Sequence, residues 1–194
     1  MGNPSAAESA RITLRPVRED DIGWMARMTT DARLVGEHNW SGLERTSDEV
    51  EAELRARLSA DGFDGDADGT LVVDFDGSTP IGDVSWRTER WGPSPRSACP
   101  AIGISLLPEH RGHGHGTVAQ ALLVDHLFTR DPELHRVQSD TAADNPAEQR
   151  ALTKIGMVEE GRIRDAEYRD GTFHDHLVYS VLRAEWEARR LSPH

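Results

Sequence analysis

The sequence predicts a mixed α/β fold in which helices pack on a mixed sheet. Several short segments alternate apolar and polar residues, which is the pattern of strands. Other segments repeat apolar residues at helical spacing, which gives a helix one buried stripe. Along the chain the order is strand, helices, three strands, helix, strand, helix and two strands. The 194 residues fit one domain of ordinary size, and helices must then cover the sheet.

The first third of the chain is predicted to be mainly helical after one strand. Residues 1–10 are small and polar and are expected to be a disordered tail, with a single domain over 11–194. Thr46 followed by Glu49 is a capping box that opens a helix. The predicted elements are a strand at 11–16, a helix from 19 to about 28, a short helix at 32–35, a loop at 36–45 and a helix to about 58.

An aspartate-rich turn is predicted at 61–69, because four aspartates and three glycines fall there. Asp64, Asp66 and Asp68 resemble the start of a calcium loop. Such a loop needs a glutamate at its twelfth position, where Phe75 stands. The sequence therefore favours a turn over a metal site.

Strands and helices alternate over the rest of the chain. Asp170 and Gly171 between two strand-like segments predict a hairpin. Strands are predicted at 71–75, 80–86, 98–107, 135–141, 157–167 and 172–182, helices at 116–129, 145–155 and 184–191, and a loop at 87–96.

Composition limits the function classes. The formal charge of −12 argues against a broad nucleic-acid surface and favours cationic partners such as amines or basic peptides, although solubility alone would explain most of the charge. No apolar run approaches the roughly 20 residues of a membrane span, and no secretory signal precedes the first strand. The single cysteine, Cys99, cannot form an internal disulfide, so we expect a cytoplasmic protein with Cys99 as a small buried residue.

The segment most informative about chemistry runs from Ile102 to Thr117. A strand leads into Arg111-Gly-His-Gly-His-Gly116, and a helix follows at once. Glycines let the backbone approach an anion, and the N–H groups of a helix start attract negative charge. The pattern predicts a pyrophosphate cradle, although a tight turn would also explain it. A dinucleotide-binding loop fits less well, because the glycines are evenly spaced and lie past the middle of the chain.

At this segment the chain resembles the GNAT superfamily of N-acetyltransferases. The family's coenzyme A loop, Gln/Arg-x-x-Gly-x-Gly/Ala, is matched by Arg111, Gly114 and Gly116. A second block is similar at 144–157, where Asn145 begins a helix. The end of the chain, at 160–179, resembles the ribosomal-protein N-terminal acetyltransferase branch. The resemblance covers roughly residues 11 to 187.

The resemblance implies one domain with a central mixed, mostly antiparallel, splayed sheet and helices on both faces. It implies acetyl-CoA as co-substrate, held where the strand at 102–107 parts from the strand near 136–141. The pyrophosphate would bind backbone N–H groups, the coenzyme arm would bind strand and side-chain groups, and the thioester carbonyl would bind the N–H of Leu106. The implied coenzyme residues are Ile104, Leu106, Arg111, Gly112, His113, Gly114, His115, Gly116, Thr117 and Asn145.

Direct attack by an amine requires proton transfer, and four side chains are candidates. Many family members place a glutamate just before the Ile-Gly pair, where this chain has Ala101. Glu148 is a candidate near the thioester, although a solvated position on its helix would also explain it. Asp83 on a neighbouring strand could hold a cationic amine or take its proton. Tyr168 and Tyr179 are alternative acids, though tyrosines in late strands are usually packing residues.

The acceptor would bind in the variable parts of the fold. Aromatic and acidic side chains suit a cationic, partly apolar amine, and the residues expected to supply them are Glu37, His38, Trp40 and Trp86, although the two tryptophans fit the core equally well. His174 and His176 could share a metal, but no third ligand has clear spacing, so no metal is expected.

Taken together, the sequence predicts an N-acetyltransferase acting on a small-molecule amine or a protein N-terminus. A non-catalytic coenzyme A sensor and a transferase with an unusual acyl donor remain open, as does a structural protein whose glycine loop is only a turn. The terminal strands offer a surface through which a homodimer could form.

Overall fold

The structure is a computed structural model that describes residues 11–36, 38, 45–60 and 62–191. The tail expected at 1–10 lies outside these residues. The strands are β1 (Ile12–Pro16), β2 (Asp68–Phe75), β3 (Thr79–Arg90), β4 (Ala98–Leu106), β5 (Arg136–Ala142), β6 (Val158–Arg169) and β7 (Thr172–Leu182). The helices are α1 (Ile22–Thr30), α2 (Ala32–Val35), α3 (Ser47–Ala60), α4 (His115–Arg130), α5 (Pro146–Ile155) and α6 (Arg183–Leu191).

All seven strands form one sheet in the order β1-β2-β3-β4-β5-β7-β6. Every neighbouring pair is antiparallel except β4 and β5, which run parallel. The sheet is therefore mixed and mostly antiparallel, as predicted.

The parallel strands β4 and β5 pair over only a short stretch. β4 and β5 pair only at Ala101 with Gln138 and Ile102 with Ser139. Both strands continue past this point, to Leu106 and Ala142. The result is an opening between the C-terminal halves of two central strands, which we call the β4–β5 opening.

Helices cover both faces of the sheet. On one face, α4 contributes Leu123 to a core that also contains Val84 and Val137. On the other face, Ile22 and Met25 of α1 pack with Val72 of β2. We call the first the α4 face and the second the α1 face. On the α4 face, α5 packs through Leu152 and α6 through Trp186. On the α1 face, α3 packs through Leu54 and Leu58.

Two strands are longer than predicted. Asp68, at the start of β2, pairs with Arg87, so the predicted turn at 61–69 and loop at 87–96 were each partly wrong. β3 reaches Arg90, which pairs with Ala98 of β4. Pairing with neighbouring strands thus holds turn-like residues in extended conformation, which local composition does not reveal.

None of the helices in the described parts of the chain has both the length and the apolar character that a membrane crossing requires.

Candidate active site

The backbone of β4 points polar groups into the β4–β5 opening. Leu107 N–H donates to the Ile81 carbonyl at 2.9 Å, so Leu107 faces β3. The Ile102 carbonyl faces the other way and accepts from the Ser139 hydroxyl at 3.1 Å. Because backbone groups alternate in direction along a strand, Ile104 and Leu106 face the opening with Ile102. The N–H of Leu106 is thus directed into the β4–β5 opening.

The glycine loop lies at the C-terminal end of β4. Gly112 and Gly114 have φ of +77° and +83°, a left-handed conformation that favours glycine. α4 begins immediately afterwards, so the N–H groups of its first turn have no acceptor within the helix. A Cβ on Gly116 would lie 3.4 Å from both Ile104 and Leu106, so the helix start rests directly on the end of β4.

Arg111 differs from its predicted role. Its N–H donates to the Pro108 carbonyl at 3.2 Å and is therefore already paired within the loop. Its guanidinium turns inward, where Nε donates to the Leu106 carbonyl at 2.8 Å and Nη2 donates to the Val35 carbonyl at 3.1 Å. Arg111 therefore ties the loop to β4 and to α2.

The loop histidines have separate environments. His115 is 8% exposed and packs against Phe75, with ring centroids 5.2 Å apart. His113 stacks on His115 at 5.6 Å and is exposed. Of the two, His113 presents its ring to solvent beside the loop, whereas His115 packs inward.

The start of α5 contributes a carboxyl group from the α4 face. The Asn145 side-chain oxygen accepts from the Glu148 N–H at 3.2 Å and caps the helix. Burial raises the pKa of the Glu148 carboxyl to about 7, while a hydrogen bond from Gln120 acts in the opposite direction. Near pH 7 this carboxyl group can therefore be either protonated or ionised.

A second carboxyl group with a raised pKa lies on the α1 face. Asp83 of β3 pairs with Ser105 of β4, next to the part of β4 that borders the opening. Burial raises the pKa of Asp83 to about 7. Asp83 and Glu148 thus lie on opposite faces of the sheet, and each can gain or lose a proton near neutral pH.

On the β5 side, just beyond the C-terminal end of the strand, Asp144 joins a cluster that we call the Arg169 cluster, formed by His38, Asp144, Arg169 and His174. Arg169 is 7% exposed and donates to Asp144 at 2.7 Å. Its guanidinium also lies 2.7 Å from His38 Nδ1 and 3.3 Å from His174 Nδ1. Asp144 and Arg169 were not predicted as site residues, because their contact joins segments far apart in sequence.

A third histidine, His176, bridges two carboxylates beside this cluster. His176 Nδ1 lies 2.9 Å from Asp140 and Nε2 lies 3.3 Å from Glu167. Arg87 of β3 also donates to Asp140, at 3.1 Å. His174 and His176 therefore have separate partners, and the described residues contain no group of three or more metal-ligating side chains.

Several candidates lie elsewhere. Trp86 is 4% exposed and lies within the core of the α4 face. The predicted contact between Trp86 and the acceptor is therefore wrong, because the ring is buried away from the β4–β5 opening. Glu37 and Trp40 lie outside the described residues. Tyr179 is buried and donates to Glu159 at 3.2 Å, whereas Tyr168 is exposed and packs on Phe173.

Residues 11–158 match the family described as acetyltransferase (GNAT) domain. The Bacillus subtilis protein YdaF, whose name is that of a ribosomal N-acetyltransferase, is 36% identical over 89 residues, 46% of this chain and 48% of its own length. The matched part of this chain thus spans about half the length of that relative.

Solved structures match over nearly the whole chain. Spermidine N-acetyltransferase from Vibrio cholerae, in complex with CoA and spermine, has a TM-score of 0.73 and 22% identity, covering 92% of this chain and 99% of that one. RimL, a ribosomal L7/L12 α-N-protein acetyltransferase in complex with coenzyme A, has a TM-score of 0.73 and 18% identity, covering 92% and 97%. At these identities the two structures show a shared fold. From the family match, this chain belongs to the GNAT acetyltransferase family.

Proposed function

We propose that this protein transfers the acetyl group of acetyl-CoA to a primary amine by direct attack at the β4–β5 opening. The observation that carries the proposal is the arrangement of Leu106 and the glycine loop: a strand N–H faces the opening, and the helix start that borders it is built to receive an anion. Both parts belong to one continuous segment.

The residues present fit the coenzyme. The left-handed glycines at 112 and 114 place no side chain over the loop, so the N–H groups from Gly112 to Thr117 are proposed to bind the pyrophosphate. Beyond the two positions at which it pairs with β5, β4 continues through Ile104 and Leu106, and we propose that the amide groups of the coenzyme arm bind along this part of the strand as an added strand does. Asn145, at the start of α5, is proposed to contact the same arm.

Proton transfer is assigned to the two carboxyl groups. The amine nitrogen forms a bond to the thioester carbonyl carbon, the carbon–sulfur bond breaks, and the coenzyme thiolate leaves. We assign Asp83 as the base that takes the amine proton and Glu148 as the acid that protonates the thiolate. Their placement on opposite faces suits these separate roles, and a pKa of about 7 allows each to act near neutral pH.

The acceptor is proposed to be a cationic small molecule or a protein N-terminus. The formal charge of −12 favours a cation, and Asp140, Asp144 and Glu167 lie along the β5 side of the opening. The Vibrio cholerae and RimL proteins described above act, by their names, on spermidine and on a ribosomal protein N-terminus. We propose a reducing, cytoplasmic location on the basis of the single cysteine.

A coenzyme A sensor is the second candidate. Ala101, which is 1% exposed, occupies the position where many family members carry a glutamate. A sensor would bind acetyl-CoA and release no thiol with any amine.

The test is thiol release from acetyl-CoA with three acceptors: a polyamine, an aminoglycoside and a peptide with a free N-terminus. We expect release with one class, together with an acetylated amine detected by mass spectrometry. The same acceptor with its amine already acetylated is the control. Binding of acetyl-CoA without release from any free amine would favour the sensor, and an unusual acyl donor would be tested with other acyl-CoA compounds.

A further inference from the structure

Gln120 is a fully buried amide with no role in the function proposed above. It lies on α4, one turn after Gly116, and is 0% exposed. Its Nε2 atom lies 3.3 Å from the Gly116 carbonyl and 3.4 Å from Glu148 Oε2. The side chain thus connects the helix that carries the glycine loop to a carboxyl group on α5.

The Gly116 carbonyl fixes the orientation of this amide. A carbonyl oxygen can only accept, so the atom facing it must be the nitrogen of Gln120 and not the oxygen. The amide has two N–H bonds, and the second is left for Glu148. Gln120 therefore donates to the Glu148 carboxyl, an interaction that favours the charged form.

Packing alone does not explain a glutamine at this position. Gln120 Oε1 is buried and has no hydrogen-bond partner among the described residues. Leaving a buried acceptor unsatisfied destabilises the folded state, and an apolar side chain of similar size would avoid this cost. At Glu148, burial raises the carboxyl pKa and the hydrogen bond from Gln120 lowers it.

We propose that Gln120 is a positioning residue, which orients the Glu148 carboxyl by a hydrogen bond from a side chain anchored on the carbonyl of Gly116. The coenzyme loop and the proton-transfer group would thereby be coupled through one amide. The kinetic part of this proposal rests on the proposed function, whereas the hydrogen bond does not.

The first test is a titration that needs no activity. Glu148 is followed by the ¹³C signal of its side-chain carboxyl, assigned by its loss in Glu148→Gln. Gln120→Met removes the donor at similar volume, and we expect the Glu148 pKa to rise by about one unit. Leu123→Met, also fully buried on α4, should leave the pKa unchanged. An unchanged Glu148 pKa in folded Gln120→Met would overturn the proposal.

The second test is the pH profile of acetyl transfer. A proton donor works only while protonated, so activity falls as pH rises through its pKa. Gln120→Met should shift this fall in activity, the alkaline limb of the profile, to higher pH by as much as the Glu148 pKa rises in the titration. In the Glu148→Gln background the same substitution should produce no such shift. A fall in the melting temperature and in kcat at every pH, with the limb unmoved, would indicate a structural role and contradict coupling. If no acetyl transfer occurs, the titration still decides on the hydrogen bond while the proposed function fails separately.

Discussion

The two sides of the β4–β5 opening are built from different kinds of groups. The β4 side consists of backbone: the strand edge at Leu106 and the loop from Gly112 to Thr117. The β5 side consists of side chains in charged pairs, with Arg169 between Asp144 and two histidines. Backbone groups suit a coenzyme that is the same in every turnover, whereas side chains can be varied to suit an acceptor.

This difference predicts separate effects of substitution. Changes on the β4 side should alter coenzyme binding or the chemical step for every acceptor. Changes in the Arg169 cluster should alter the acceptor's KM and leave coenzyme binding intact. The following variants test this separation, beginning with the largest expected effect.

Leu106→Pro removes the N–H that faces the opening. The neighbouring bond from Leu107 N–H to Ile81 is unaffected, so the sheet should persist. We expect kcat to fall by at least about 100-fold with every acceptor, because an oxyanion donor is lost. Leu107→Pro is the control: it breaks a sheet hydrogen bond and should lower the melting temperature instead. A folded Leu106→Pro with unchanged kcat would remove Leu106 from the mechanism.

Asp83→Asn tests the base on the α1 face. A base acts when ionised, so activity of the unaltered protein should rise as pH increases through the Asp83 pKa of about 7. The variant should lose this acidic limb, and kcat at pH 7 should fall by about 100-fold. Asp76→Asn, at an exposed carboxylate paired with Arg11, should change neither. Retention of the acidic limb in Asp83→Asn would assign the base elsewhere.

Arg169→Met tests the β5 side alone. Without the guanidinium, Asp144 and His38 lose a shared partner, and the acceptor's KM should rise by about tenfold. The dissociation constant for acetyl-CoA should change by less than about twofold. Arg130→Met, which breaks surface pairs with Asp64 and Asp66, is the control and should affect neither constant. Equal weakening of both ligands would contradict the separation of the two sides.

The same difference explains how much could be predicted from sequence. The β4 side is a continuous segment, and its strand, glycines and helix start are visible in the order of residues 102 to 117. The element order also gave the mixed sheet, because each strand and helix carries its own periodicity. These parts were predictable since local sequence determines them.

The β5 side was not predictable in this way. Arg169 and His174 belong to the predicted hairpin, but His38 and Asp144 come from two other segments, and only folding brings them to it. Trp86 was assigned wrongly because an aromatic residue near the site fits either an acceptor pocket or the core. Only the burial of its side chain distinguishes the two. Gln120 gave no signal, since a single glutamine on an apolar helix resembles a surface residue.

The most direct test of the central claim is calorimetric titration with acetyl-CoA, carried out on three proteins. The unaltered protein should bind with a dissociation constant on the order of micromolar. Gly114→Glu should abolish binding, because it places a side chain and a negative charge in the loop. Gly171→Glu is the matched control, since its φ of +82° resembles the +83° of Gly114 and a Cβ there meets no atom within 4 Å. We predict that the unaltered protein and Gly171→Glu bind acetyl-CoA and that Gly114→Glu does not. Absence of binding by the unaltered protein, or equal binding by Gly114→Glu, would contradict the assignment of the β4–β5 opening.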